Sequence, residues 1–153
     1  MALYLVQHGQ SKPKEEDPER SLSALGESVV LKMAKIAKEH NISVSSINHS
    51  GKKRAEQTAE IFAKTLNPKE GIQKIPGLNP LDDVKTIAGQ LHSEQNVMLV
   101  GHLPFMEKLT SYLIVKNEDL PIFKFQNGGI VCLDFDTERD SWFIKWTLMP
   151  NFE

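Results

Sequence analysis

Cysteine is nearly absent: Cys132 is the single one in 153 residues, so no internal disulfide and no Cys-x-x-Cys pair can form. A reducing, cytoplasmic setting is the expectation. No stretch reaches the ~18 consecutive apolar residues that a membrane helix needs. The opening Met1-Ala2-Leu3-Tyr4-Leu5-Val6 lacks the basic region and the length of a signal peptide and is expected to be structure. Charge of one sign is also scarce. Eighteen Lys plus Arg against 20 Asp plus Glu leave a net −2, which argues against nucleic acid or a membrane surface as a partner. The short Lys52-Lys53-Arg54 run is too small for a nucleic-acid patch. No HxH, HExxH or acidic cluster offers metal-ligand spacing, and there is neither an internal repeat nor a low-complexity tract.

What is present is ordinary for a folded protein: 40% hydrophobic and 25% charged residues. A chain of this length buries roughly two thirds of its unfolded surface. One domain over residues 1–153 is expected.

The apolar pattern alternates between two periods. Leu3 to Val6 is a short run stopped by Gln7-His8-Gly9 and predicts a buried strand. Lys12 to Arg20, charged and holding Pro13 and Pro18, predicts a solvated, mobile loop. Ser23 then caps a helix with Leu25, Val29, Met33 and Ile36 on one face. Ile42 to Ile47 alternates as a strand, and Ser50 caps a second helix through Leu66, ending before Asn67-Pro68. Ile72 to Ile75 is a third strand. Leu81, Val84, Ile87, Ala88 and Leu91 keep helical spacing, and Val97 to Val100 is a fourth strand before a helix opened by Pro104. Ile130 to Phe135 and Trp142 to Leu148 form a hairpin around the Asp136 to Asp140 turn, with Trp142 and Trp146 packing and Lys145 on the other face. The fold class is therefore α/β: a three-layer α/β/α sandwich with a mainly parallel sheet and an antiparallel hairpin at its C-terminal edge.

In such sheets ligands bind beyond the carboxyl ends of the strands. There the first strand delivers Gln7 and His8, the second His49 and Ser50 with Arg54 one turn on, and the fourth His102. Two imidazoles and a guanidinium beside helix N-termini describe a phosphate site, and Gly9 and Gly101 let backbone approach a ligand. His49 is expected to line the site rather than react. His40 and His92 fall at helix ends, and Cys132 lies in an apolar run that predicts a buried, inert thiol.

These residues resemble the histidine phosphatase superfamily, with its phosphoglycerate mutase-like fold, and within it the compact SixA-type phosphohistidine phosphatases. Leu5-Val6-Gln7-His8-Gly9 is similar to the strand-terminal Arg-His-Gly motif, and Leu22-Ser23-Ala24-Leu25-Gly26 to a Leu-Thr-x-x-Gly helix start. Ser50-Gly51-Lys52-Lys53-Arg54-Ala55-Glu56-Gln57-Thr58-Ala59 resembles Ser-Pro-x-x-Arg-Ala-x-Gln-Thr-Ala, and Val100-Gly101-His102-Leu103-Pro104 the second histidine segment. The resemblance implies metal-free and cofactor-free phosphoryl transfer, with His8 as nucleophile and Arg54 and His102 as catalytic partners. Gln7, Gly9, Ser50, Arg54, His102 and Leu103 would hold the phosphoryl group. It implies as partner a phosphohistidine-bearing protein, or a small phosphorylated molecule, met by a monomer.

Two positions depart from the pattern. Gln7 stands where the resemblance puts arginine, which by analogy with a lost oxyanion donor costs about 3 kcal/mol, or roughly 10² in rate. The Gln7 amide can still donate, and Lys52 or Lys53 is a candidate for the missing charge. Gly77 stands where many relatives carry a glutamate acid, with Asp82 and Asp83 nearby. An imidazole leaves without a strong acid whereas an alkoxide does not, so a P–N substrate is favoured. A small-molecule phosphomonoesterase on the same scaffold and a weakly active phosphate-binding module are the alternatives.

Overall fold

The computed structural model describes residues 2–91 and 95–152. Six strands form one sheet: β1 (Ala2–Gln7), β2 (Ser46–His49), β3 (Ile72–Lys74), β4 (Val97–Gly101), β5 (Ile130–Asp136) and β6 (Ser141–Leu148). Their order is β3-β2-β4-β1-β5-β6. The first four are mutually parallel, and β5 and β6 run antiparallel at the edge. The helices are α1 (Ala24–Glu39), α2 (Lys53–Leu66), α3 (Val84–Ala88) and α4 (Phe105–Val115).

Strict alternation along the central strands builds two cores. Tyr4, Val6, Met98, Val100, Ile130 and Cys132 face α1 and α2, whose Val30, Met33, Ala34, Ala59 and Phe62 cover them. Leu3, Leu5, Leu99, Val131 and Leu133 face the opposite way, under Val84 and Ile87 of α3 and Phe105, Met106 and Leu109 of α4. The architecture is the expected three-layer sandwich.

Some local expectations change. Ser23 caps α1 by accepting from the Gly26 N–H at 3.0 Å, but the helix does not bury Leu25, which is 62% exposed. Met33 is buried as expected and Val29 and Ile36 are half-buried against the core, while Gly26, Val30, Ala34 and Ala37 are the other buried positions. The rotation has a steric cause: Gly26 sits on the backbone of Gln10, and a Cβ there would lie 2.0 Å from the Gln10 carbonyl oxygen. Only glycine can face that way, and the residues one, two and three turns on follow it inward.

β2 begins at Ser46, later than the alternation suggested, with the Ser45 N–H on the Asn96 carbonyl just ahead of it. The N-cap of α2 is Lys52, not Ser50, whose hydroxyl meets the Lys52 N–H and His102. The third helix is the short α3, capped by Asp83 through the Lys85 N–H, and Leu81 before it is exposed. His40 is the C-cap of α1, as its placement at a helix end implied; His92 lies outside the described residues.

The tryptophans of β6 do not share a face. Ile144 pairs with Leu133 and Trp146 with Cys132, so Lys145 is an extra residue in the ladder, a β-bulge. On one side of it Trp142 and Ile144 join the core beneath α4; on the other Trp146 and Leu148 join the core beneath α1, with Trp146 6.0 Å from Tyr4.

Candidate active site

Parallel β1, β2 and β4 end along one edge of the sheet, and the residues that follow them meet there. His8 and His102, 94 positions apart in sequence, have ring centroids 5.0 Å apart and are both buried. They line a cavity of about 360 Å³ with Gln7, Arg20, Arg54 and Leu103. Gly9 and Ser50 stand behind this wall, as supports.

The supports fix both rings. His8 Nδ1 lies 2.7 Å from the Gly9 carbonyl oxygen, which can only accept, so Nδ1 carries the proton and Nε2 keeps its lone pair. The His8 backbone is anchored by its N–H to the Gly101 carbonyl and by its own carbonyl, which accepts from Asn127 Nδ2 at 2.9 Å. Ser50 Oγ accepts the Lys52 N–H at 3.3 Å and lies 2.6 Å from His102 Nε2. Among the described residues Nε2 is the one acceptor bonded to the Ser50 hydroxyl, so Ser50 donates to Nε2 and His102 holds its proton on Nδ1. That Nδ1, like Arg54 Nε and Gln7 Oε1, is buried and has no hydrogen-bond partner. An unpaired buried polar group costs about 1–3 kcal/mol. Three in one cavity identify a place built for a polar ligand.

Burial holds both imidazoles neutral. It lowers the His8 pKa from 6.5 to about 4, with Arg54 and Arg20 adding to the effect and the bond to Gly9 opposing it. Burial lowers His102 to about 3, with His8, Arg54, Lys52 and Arg20 contributing in that order. Arg54 is lowered as well, first by burial and then by Arg20, but a guanidinium stays charged. The cavity therefore offers two fixed positive charges, a neutral nitrogen nucleophile and a neutral imidazole donor. That set can bind a tetrahedral oxyanion and attack it. Among the described residues none that lines the cavity is a carboxylate, and no group of three His, Cys, Asp or Glu side chains could hold a metal ion.

Arg20 went unnoticed in the sequence because its loop looked solvated and mobile. The loop is instead tied down. Asp17 accepts from the Glu19 and Ser21 N–H groups and bonds the Ser21 hydroxyl, Arg20 takes a left-handed φ of 52°, and the Lys12 N–H binds the Ser21 carbonyl. Asp17-Pro18 was the available signal for such a turn. Asn127 was also missed; it precedes Gly128, whose φ is +80°, a turn pair readable in advance.

The Gln57-Thr58 pair explains itself structurally. Gln57 Oε1 accepts the Leu22 N–H at 2.7 Å, and Thr58 Oγ1 accepts the Gly9 N–H at 2.9 Å while donating to the Arg54 carbonyl. One helix, α2, thus positions Arg54, the Arg20 loop and the His8 loop together.

Other candidates fall outside the cavity wall. His49 is buried and does not line it: its Nδ1 accepts the Gly51 N–H at 3.1 Å, a structural bond. Lys52 and Lys53 are exposed at the start of α2, so Arg20 is the second cation on the wall. Asp82 accepts the Asn79 N–H and Asp83 caps α3, and of that loop only Pro80 reaches the cavity.

The fold and this paired-histidine, cationic site define a histidine phosphatase. The sequence profile of the histidine phosphatase superfamily (branch 1) matches residues 3–85, and the chain belongs to that family. A search of curated protein sequences returned no match. Among solved structures, it is similar to the protein histidine phosphatase SixA complexed with tungstate, at 25% identity and a TM-score of 0.84, covering 98% of this chain and 97% of that one. It is similar to a protein from Agrobacterium tumefaciens provisionally assigned as phosphohistidine phosphatase SixA, at 26% identity, a TM-score of 0.77 and 97% coverage of both. It also shares its fold with a mycobacterial glucosyl-3-phosphoglycerate phosphatase, at 14% identity and a TM-score of 0.75, covering 97% and 99%. Among the described residues no helix is long and apolar enough to cross a membrane.

Proposed function

We propose that the protein is a metal-independent phosphatase that removes the phosphoryl group from a histidine of another protein. The observation that carries this reading is the pairing of a neutral His8, its Nε2 unprotonated, with a cavity wall that holds two arginines and no acid. His8 Nε2 attacks phosphorus, a new N–P bond forms, and the bond to the substrate imidazole breaks with its electron pair returning to that ring. A ring already protonated on its other nitrogen leaves as neutral imidazole, so the missing acid at Gly77 is tolerated. Water then attacks the His8 phosphoryl group, the P–N bond breaks, and phosphate departs. Arg54, Arg20 and the His102 Nδ1–H hold the equatorial oxygens as charge builds on them. The similarity to SixA supports the choice of substrate, and a cytoplasmic setting belongs to the same proposal.

The test is a labelled phosphohistidine protein mixed with the purified chain. An acid-labile label on the chain, lost in His8→Ala, and faster turnover of the P–N substrate than of p-nitrophenyl phosphate or sugar phosphates are expected. Faster turnover of the phosphomonoesters would assign the site to small molecules, as the similarity to the glucosyl-3-phosphoglycerate phosphatase would then suggest. Phosphate binding without any turnover would make it a binding module.

A further inference from the structure

Gln7 is 9% exposed and its Oε1 has no hydrogen-bond partner. In the same cavity His102 Nδ1 and Arg54 Nε also lack partners. The two sets are complementary in an uncommon way. A ligand that satisfies all three must offer acceptor oxygens to the histidine and the arginine, and a donor to the glutamine. A fully ionised phosphoryl group has no proton to give, whereas a monoprotonated one has a single hydroxyl. We propose that Gln7 makes this cavity selective for the monoprotonated phosphoryl group, its Oε1 accepting from P–OH while His102 and Arg54 hold ionised oxygens. The inference rests on the reading that the cavity takes a phosphoryl group.

Coulomb attraction alone would favour the dianion, so the competing groups matter. Those that face the ligand are His8 from the end of β1, Arg20 from its loop, Arg54 from α2 and His102 from the end of β4. Lys52 acts on His102 from the cap of α2, and Asn127 and Pro80 close the wall without charge. Arg20 is exposed and Arg54 partly so, and water screens both. Gln7 Oε1 is buried, so an unprotonated oxygen set against it finds no relief from solvent. The positive field of the wall also orients the amide with its oxygen toward the cations.

The two histidines stay neutral through the interval in which a phosphoryl group, or phosphite, loses its last hydroxyl proton, near ~6–7. Sulfate is likewise tetrahedral and has no proton in that interval, which makes it the control. The experiment is calorimetric titration of the full chain with phosphite, whose single P–OH ionises in that interval, and with sulfate at about pH 5.5 and about pH 8.5. Phosphite is expected to bind at least ~10-fold more tightly than sulfate at the acid pH and to lose ~10-fold or more at the alkaline one, while sulfate stays constant. In Gln7→Met, neutral and similar in shape, the phosphite-to-sulfate ratio falls close to one; in Gln7→Arg the pH trend of phosphite reverses. Equal binding of the two anions by the unaltered chain would mean the amide turns its Nε2 inward, overturning the assignment and leaving the phosphate site intact. Parallel pH trends for both anions would place the titration on the protein and overturn it too. Absence of binding by either anion would overturn this inference and the functional reading together.

Discussion

Thr58→Val isolates the hydrogen bond on which the His8 loop rests. Thr58 is wholly buried in α2, and valine matches its shape and its β-branched rotamer preference, so no cavity opens. Two bonds disappear. The Arg54 carbonyl, which accepts from Thr58 Oγ1 at 2.8 Å, has a second lone pair for the helix ladder and loses little. The Gly9 N–H, 2.9 Å from Oγ1, belongs to a buried residue and has no other acceptor to turn to. Its loss is therefore an unsatisfied buried donor, about 1–3 kcal/mol of the 5–15 that a domain of this size commands. Urea unfolding followed by tryptophan fluorescence should show a lower midpoint with an unchanged slope. Thr58→Ser keeps both bonds and drops one methyl, so it should fall by only about 1 kcal/mol. Activity should divide the two variants further, because Gly9 also supplies the carbonyl that fixes the His8 tautomer: valine lowers kcat and serine restores it. A valine variant within about 0.5 kcal/mol of the parent, or a serine variant that falls as far as valine, would refute the reasoning.

Gly26→Ala brings a Cβ to 2.0 Å from the Gln10 carbonyl, a backbone atom that cannot step aside, so the thermal midpoint should fall by the equivalent of about 1–3 kcal/mol or more despite the better helix propensity of alanine. Acidification should destabilise the fold. His8 is at about 4 in the folded state against 6.5 unfolded, so the unfolded chain binds more protons between those values. That stability is complete above about pH 6.5 and disappears as pH falls toward 4, amounting to about 3 kcal/mol at about 1.4 per pH unit; urea midpoints across the range measure it. Arg20→Ala should raise KM for the phosphorylated substrate, and Asp17→Ala should reproduce much of that effect through the loop while leaving the unfolding midpoint nearly unchanged.

The layered architecture was legible because buried strands and amphipathic helices carry different periods, and Leu3 to Val6 or Val97 to Val100 admits one reading. The site was legible where residues close a strand, as His8 and His102 do. What escaped depends on contacts between distant segments. The burial of Gly26 in place of Leu25 follows from the path of Gln10, which no local pattern encodes. Arg20 reaches the cavity through a turn built by Asp17, so a charged stretch that reads as solvent-facing supplies a cation to the wall. His49 differs in the other direction: expected to line the site, it instead accepts the Gly51 N–H behind the wall.

The surplus residue in β6 has a consequence for how this chain tolerates change. Lys145 looks dispensable, an exposed side chain in a long-range pair with Asp134 at 3.9 Å. Deleting it would make Ile144 and Trp146 neighbours, and unbroken two-residue alternation would still send Trp142 and Ile144 to one core and Trp146 and Leu148 to the other. That deletion and Lys145→Ala would therefore both leave the two halves seated, whereas deleting Phe143 would turn Trp142 away from the core it shares with Ile144.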